Sequence, residues 1–389
     1  MPVSRRTTKS PNRTYIPGID QLRAGFALLV LFYHGFALLS ARLIQHAEFV
    51  AADWSHTRNP LLAVVVEGHT AVAGFMVLSG FIFVQGTYDR ELRYREFLRN
   101  RILRIYPLYL VLVTIGFCSW PYAFKLTALV SLVLPLANFI SPPAGAIAAM
   151  AWTVAVEFQF YLIFPLLLRL YQHHGAGLLW RLILLAAVLR LFAVALGADA
   201  QWMSYWTIAG RIDQFLLGML AGLWYARRHV AGTARSGVRS VLASALVVWA
   251  LLYGFHLAGG WPRKVWWKAL WPDAEGAAWT GFVLAWLPVA PRLPRVLARP
   301  LEAIGRISFS IYLLHFAVIE MLGMHGWILR PFANAHADAL LTTVVVALPI
   351  TLAGAAFTYT TIEAPFLALR RRYTSDPATA MIARVTAED

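Results

Sequence analysis

The chain has 389 residues, 59% of them hydrophobic and only 14% charged, with a formal net charge of +15 and a mean hydropathy of +0.61. Soluble domains carry about 25% charged residues, so this composition excludes a water-soluble domain and, with it, the nucleic-acid partner that such a basic balance would otherwise suggest. One cysteine, Cys118, excludes disulfides and cysteine-built zinc or iron–sulfur sites.

Apolar runs close to the ~20 residues that a membrane-spanning helix requires recur from end to end. Lys and Arg concentrate in the short segments between them, as loops retained on the cytosolic side do. The basic tail, 1–16, precedes a run at about 22–42. That pair resembles a signal peptide, but the run holds Arg23 and His34 and further spans follow, so it reads as a retained first helix. Spans at about 62–85 and 105–119 flank the strongly basic stretch 87–104. Cys118, in the second of these, reads as a packing residue. Residues 123–150 are apolar to about 140 and are then broken by Pro142 and Pro143. Counting them as a full crossing would put the basic stretch after 168 on the wrong side, so they read as a short or re-entrant segment. Further spans fall at about 151–170, 178–197, 206–226, 240–258, 276–290, 304–325 and 338–360, with a Trp-rich external loop after 258. The expectation is an all-α polytopic bundle of about ten transmembrane helices over 17–368, with both terminal segments, 1–16 and 369–389, in the cytosol.

Ionisable side chains inside spans cost about 3 kcal/mol each and mark functional sites. Asp20 and Arg23 share a helical face at the cytosolic end of the first span. His34 follows eleven residues later, three turns on and about 16 Å deeper, near the middle of a ~30 Å core. An imidazole at that depth suits proton transfer near neutral pH; a packing histidine with an anchoring arginine is the alternative. Arg101 and Arg104, at i and i+3, suit phosphates, or simply anchor the helix on the basic side. Glu157 shares a face with Phe160, Tyr161 and Phe164, with Trp152 and Thr153 nearer the outside. This pattern suits either a sugar or a Glu–Arg pair. Glu67, His69, Ser79 and His315 are weaker candidates. Arg211 and Asp213 read as an ion pair, and Glu363 as a partner for one of the arginines.

Six elements in order resemble the acyltransferase family 3 membrane proteins. They are Gly18-Ile19-Asp20-Gln21-Leu22-Arg23 with His34; Phe75-Met76-Val77-Leu78-Ser79-Gly80-Phe81; Asn100 to Pro107; Trp152 to Tyr161; Ile311 to His315; and Glu363-Ala364-Pro365. Gln21 stands where the family has Gly, and Asn100 where it has Arg. The resemblance implies His34 and Arg23 in catalysis and Arg101 and Arg104 on the donor side. To these we add Asp20 beside Arg23, Ser79 and Tyr106 with the donor arginines, and Trp152, Glu157, His69 and His315 as acceptor-binding residues. The resemblance further implies a bacterial inner-membrane O-acyltransferase that needs no metal and no resident cofactor. It would use acyl-CoA, by default acetyl-CoA, as co-substrate and a glycan or glycolipid as acceptor. A transporter or flippase of a lipid-linked sugar is the alternative; it predicts inverted repeats and broken helix pairs, which the sequence does not display.

Overall fold

A computed structural model describes residues 12, 14–46, 54–88, 90–119, 126–139, 149–230 and 236–375. Among them there is no strand; a lone bridge joins Leu92 to Thr374. The helices are α1 (Pro17–Gln45), α2 (Pro60–Val66), α3 (Ala71–Thr87), α4 (Tyr94–Ser119), α5 (Leu126–Val133), α6 (Ala151–His174), α7 (Ala176–Ala195), α8 (Ala200–Trp206), α9 (Ile208–Val230), α10 (Val238–Leu257), α11 (Trp271–Trp286), α12 (Arg295–Arg306), α13 (Ser308–Met324), α14 (Ala335–Thr342), α15 (Leu348–Thr358) and α16 (Ala364–Leu367). Local chemistry sets several starts. Pro17 opens α1, where a missing N–H costs nothing. The carboxylate or amide oxygens of Asn59, Asp199 and Asn334 accept the first free N–H groups of α2, α8 and α14.

Seven helices among the described residues are long and apolar enough to cross a membrane, or up to eight if the pair α12–α13, bent by 73°, is one span. The protein is a multi-pass helical membrane bundle. The expected count of about ten is not reached by this measure. It had included 206–226 and 276–290, where α9 carries Arg211 and Asp213 and α11 has only sixteen residues. The third span also begins earlier than its apolar run. α4 starts at Tyr94, so Arg99, Arg101 and Arg104 ride on its first turns instead of a preceding loop. Residues 369–375, counted above in the C-terminal tail, belong to the folded unit. The Asn100 side chain clamps the backbone of Arg371 from both sides, at 2.7 and 3.0 Å, and Tyr373 is buried. Cys118 is exposed on the outside of the bundle and does not pack inside it.

Two features bring the polar residues together. α1 runs through the bundle against α3, α12, α13 and α14. α3 and α9 touch backbone to backbone: a Cβ on Gly80 would strike the Phe215 carbonyl and one on Gly218 the Val77 carbonyl. Without a hydrophobic drive between helices in lipid, such small-residue contacts are what association relies on. α14, α15 and α16 form one continuous rod interrupted by π turns at Thr343–Ala347 and Tyr359–Glu363; turns of this kind re-aim side chains, and the second carries Glu363.

Gly218→Leu is expected to force α3 from α9 and lower stability by about 1–3 kcal/mol. The check is thermal loss of the monodisperse peak of detergent-solubilised protein, against Gly281→Ala, where an added Cβ meets nothing within 4 Å. Equal behaviour of the two variants would contradict the packing assigned to α3 and α9.

Candidate active site

Two cavities lie end to end in the bundle. The first encloses about 850 Å³ including its mouth, and its polar lining is Arg23, Arg101, Arg104, Ser79, Glu157 and Tyr161. The second, of about 1310 Å³, is lined by His34, His69 and Asn138 and by Trp54, Trp152, Trp202, Trp206 and Trp261. Val72 and Tyr312 line both. α1 thus contributes Arg23 to one chamber and His34, eleven residues on, to the other.

In the arginine chamber, Arg23 is paired with Asp20 at 3.1 Å and Arg104 with Glu363 at 3.0 Å; Glu363 also accepts from Ser310 Oγ. Arg101 is held differently. Its guanidinium sits over the rings of Phe83, Phe97 and Tyr161 at 5.0, 5.5 and 5.8 Å. It has no carboxylate partner among the described residues, and its Nε is buried without a hydrogen bond. Glu157 accepts from Ser79 Oγ at 3.1 Å and from Tyr161 at 2.5 Å. Three guanidiniums and one carboxylate line the cavity. Asp20 and Glu363 behind the wall answer Arg23 and Arg104, so Arg101 is the guanidinium without an ion-pair partner among the described residues, the one left for an anionic ligand.

In the tryptophan chamber, a chain of acceptors assigns the histidine tautomers. The Ile311 carbonyl, 3.0 Å from His315 Nδ1, can only accept, so Nδ1 carries the hydrogen. In a neutral ring His315 Nε2 is then bare. His34 Nδ1, 2.9 Å from it and 3.1 Å from the Val30 carbonyl, must be the donor. His34 Nε2 is left as a free lone pair on a residue that lines the chamber, the form a general base takes. Phe316 packs edge-on against the His34 ring, with centroids 5.1 Å apart.

Several expected placements are corrected. Glu157 lies in the arginine chamber and not with Trp152 and His69, because five residues on α6 turn it about 140° away from Trp152. Tyr106 lines neither cavity. Two residues from Arg104, it faces about 200° round α4, and its hydroxyl donates to the Val133 carbonyl at 3.1 Å. His315 is fully buried behind His34 and touches that ring instead of lining the chamber. Arg211 and Asp213 do not pair with each other. At i and i+2 they face apart, and they meet Glu275 at 3.3 Å and Arg190 at 2.5 Å respectively. Arg23, Arg101, Arg104 and Ser79 do meet in one chamber, with Asp20 bonded to Arg23 behind it; His34, His69 and Trp152 meet in the other.

Sequence reasoning missed His256 and Trp54, both bonded to Glu67, and the aromatic wall of Trp202, Trp206 and Tyr205. His256 was detectable, as an imidazole within an apolar run. Trp54 and the α8 aromatics lie in connecting segments, where spacing says nothing about their neighbours. Lys268 donates to the carbonyls of Gly260 and Trp261 at 2.9 and 2.6 Å. Burial pushes its ammonium down to about 8, against the opposing pull of the Glu67 carboxylate.

Comparison with known proteins agrees with this geometry. The sequence model of the "Acyltransferase domain" family matches residues 16–360. The acyltransferase MdmB of Streptomyces mycarofaciens is 26% identical over 95% of this chain and 97% of its own length. A putative acetyltransferase of Acidianus two-tailed virus is 24% identical over 84% of this chain and 89% of its own. A putative O-acetyltransferase of Staphylococcus aureus (strain COL) is 23% identical over 92% of this chain but 58% of its own. No solved structure matches the chain. With residues 16–360 of its 389 inside the family's span, the chain belongs to the acyltransferase family 3 membrane proteins.

Proposed function

We propose that this acyltransferase moves an acyl group, by default acetyl, from cytosolic acyl-CoA to a hydroxyl of an exported or cell-surface glycan. The observation that carries the reading is the junction at Val72 and Tyr312, where the arginine chamber meets an aromatic one that holds a bare imidazole nitrogen. Basic segments cluster at the α4 end of the bundle, so the arginine chamber opens toward the cytosol of a bacterial plasma membrane, with both termini on that side. Arg101 and Arg104 bind the phosphates of the donor, and its pantetheine arm extends toward Tyr312. Arg23 belongs to the donor side as well. At about 16 Å from His34 along α1, its guanidinium does not reach a carbonyl held against that ring. The tryptophans of the outer chamber supply flat faces for sugar rings, and its opening lies away from the cytosol.

In the reaction, His34 Nε2 removes the proton of the acceptor hydroxyl as its oxygen attacks the thioester carbonyl. The C–O bond forms and a tetrahedral oxyanion develops. Collapse breaks the C–S bond, and the thiolate recovers the proton from the imidazolium. His315, accepting from His34 Nδ1–H, holds the reactive tautomer throughout.

His34→Ala is expected to lower transfer by about 10²- to 10⁴-fold, the usual contribution of a general base, while the protein remains folded in detergent. Near-normal transfer of labelled acetyl from acetyl-CoA by that variant would sink the assignment. Arg101→Ala is expected to raise the KM for acyl-CoA by about 10- to 100-fold, as loss of a hydrogen-bonded charge does, and to leave the acceptor KM alone. An acceptor-KM effect with unchanged donor KM would reverse the two chambers.

A further inference from the structure

His69 presents an atom that its surroundings leave open. Glu67 is fully buried, and its carboxylate receives three N–H groups from three parts of the chain. They are His69 Nε2 at 3.0 Å, His256 Nδ1 at 2.8 Å and Trp54 Nε1 at 3.1 Å. For His69 to donate, its hydrogen must sit on Nε2. His256 likewise carries a hydrogen on Nδ1 to donate to Glu67, while its Nε2 meets the Thr57 backbone at 3.1 Å. The neutral His69 ring therefore has a bare Nδ1. That atom is buried and has no hydrogen-bond partner; the ring is 3% exposed, and His69, like His34, is a lining residue of the tryptophan chamber. The ring is also boxed in, with the rings of Tyr33, Trp54 and Tyr205 packed edge-on at 5.7, 5.7 and 5.3 Å. It is held in place by its aromatic neighbours and in its tautomer by Glu67.

One chamber thus holds two bare imidazole nitrogens, His34 Nε2 and His69 Nδ1, while a single hydroxyl carries one proton. We propose that His69, oriented by Glu67, selects acceptors with a second hydroxyl beside the one acylated. The reacting hydroxyl donates to His34 and its neighbour donates to His69, so the acceptor is a polyol and not a simple alcohol. Buried acceptors left unpaired are what make a site reject an analogue that lacks one hydroxyl. The inference rests on the acyl-transfer reading above and adds a specificity rule to it. His69 touches the acceptor; Glu67, His256 and Trp54 are positioning residues.

Two substitutions separate this role from a structural one. His69→Gln keeps a donor at the Nε2 position for Glu67 and removes only the chamber-facing lone pair. Glu67→Gln keeps the oxygen that Trp54 and His256 share and turns the other into an amide donor. His69 must then carry its hydrogen on Nδ1, and the chamber-facing atom changes from acceptor to donor. Purified protein in nanodiscs would be assayed with labelled acetyl-CoA and a panel of methyl hexosides, each compared with its monodeoxy analogues. In the unaltered chain, loss of one hydroxyl other than the acylated one is expected to lower kcat/KM at least about tenfold. In His69→Gln that discrimination is expected to disappear, with the KM for acetyl-CoA unchanged; in Glu67→Gln it is expected to persist, because the neighbouring hydroxyl can accept from Nδ1–H as readily as it donates. If the unaltered chain transfers acetyl and His34→Ala does not, yet His69→Gln still discriminates fully, the specificity role is wrong and the acyl-transfer reading stands. If neither variant stays monodisperse, the deoxy series on the unaltered chain decides, and indifference to every neighbouring hydroxyl overturns the role. No transfer to any hexoside overturns both.

Discussion

The ring nitrogens of His34 and His315 lie 2.9 Å apart in a bundle whose surroundings are hydrocarbon. Backbone carbonyls one turn back on each helix close off the remaining inward-facing nitrogen capacity of both rings. The hydrogen-bond chain from Ile311 through His315 to His34 dictates which nitrogen is basic. The contact also ties α1 to α13, and so the proposed base to the helix that contributes Tyr312 to both chambers. Altering either ring changes the tautomer, the helix pairing and the reactive lone pair together.

The bundle's other charges follow the rule that an ion in low dielectric needs a partner. Asp20 answers Arg23, Glu363 answers Arg104, Glu275 answers Arg211, and Asp213 with Asp273 answers Arg190, whose NH groups lie 2.5 and 2.6 Å from the two carboxylates. Arg101 departs from the rule. Its charge rests on three aromatic faces, an arrangement weaker than a carboxylate and easily traded for a phosphate. Among the guanidiniums of the arginine chamber, Arg23 and Arg104 are thus answered by carboxylates and Arg101 is not.

Much of this organisation was legible in the sequence because it follows from one helix at a time. The eleven-residue interval put Arg23 and His34 on one side of α1, and each lines a cavity; Arg101 and Arg104, sharing a face by their spacing, line the same one. What failed required knowledge of a second helix. Glu157 and Trp152 belong to one motif yet serve different chambers, because α6 rotates between them. His315, at a depth where it either meets His34 or packs, does meet that ring at 2.9 Å, but it does not line the chamber as an acceptor-binding residue would. Glu67 read as one of the weaker candidates, with His69; its other partners are His256, 189 residues away, and a tryptophan in a connecting segment. Asn100, a departure from the family pattern, proved to be the clamp on the 369–375 segment. α9 shows why its charges broke the apolar pattern: Arg211 and Asp213 each serve a different neighbouring helix.

The central claim is that a thioester entering past the arginines reaches the free nitrogen of His34 at the junction of the chambers. A cryo-EM structure of the protein with a non-hydrolysable acyl-CoA analogue tests it directly. The account predicts phosphates on Arg101 and Arg104, the pantetheine arm passing Tyr312, and the carbonyl carbon within about 3.5 Å of the position an attacking oxygen takes at His34 Nε2. Phosphates seated among the tryptophans, or an acyl group that ends in the arginine chamber out of reach of His34, would contradict it.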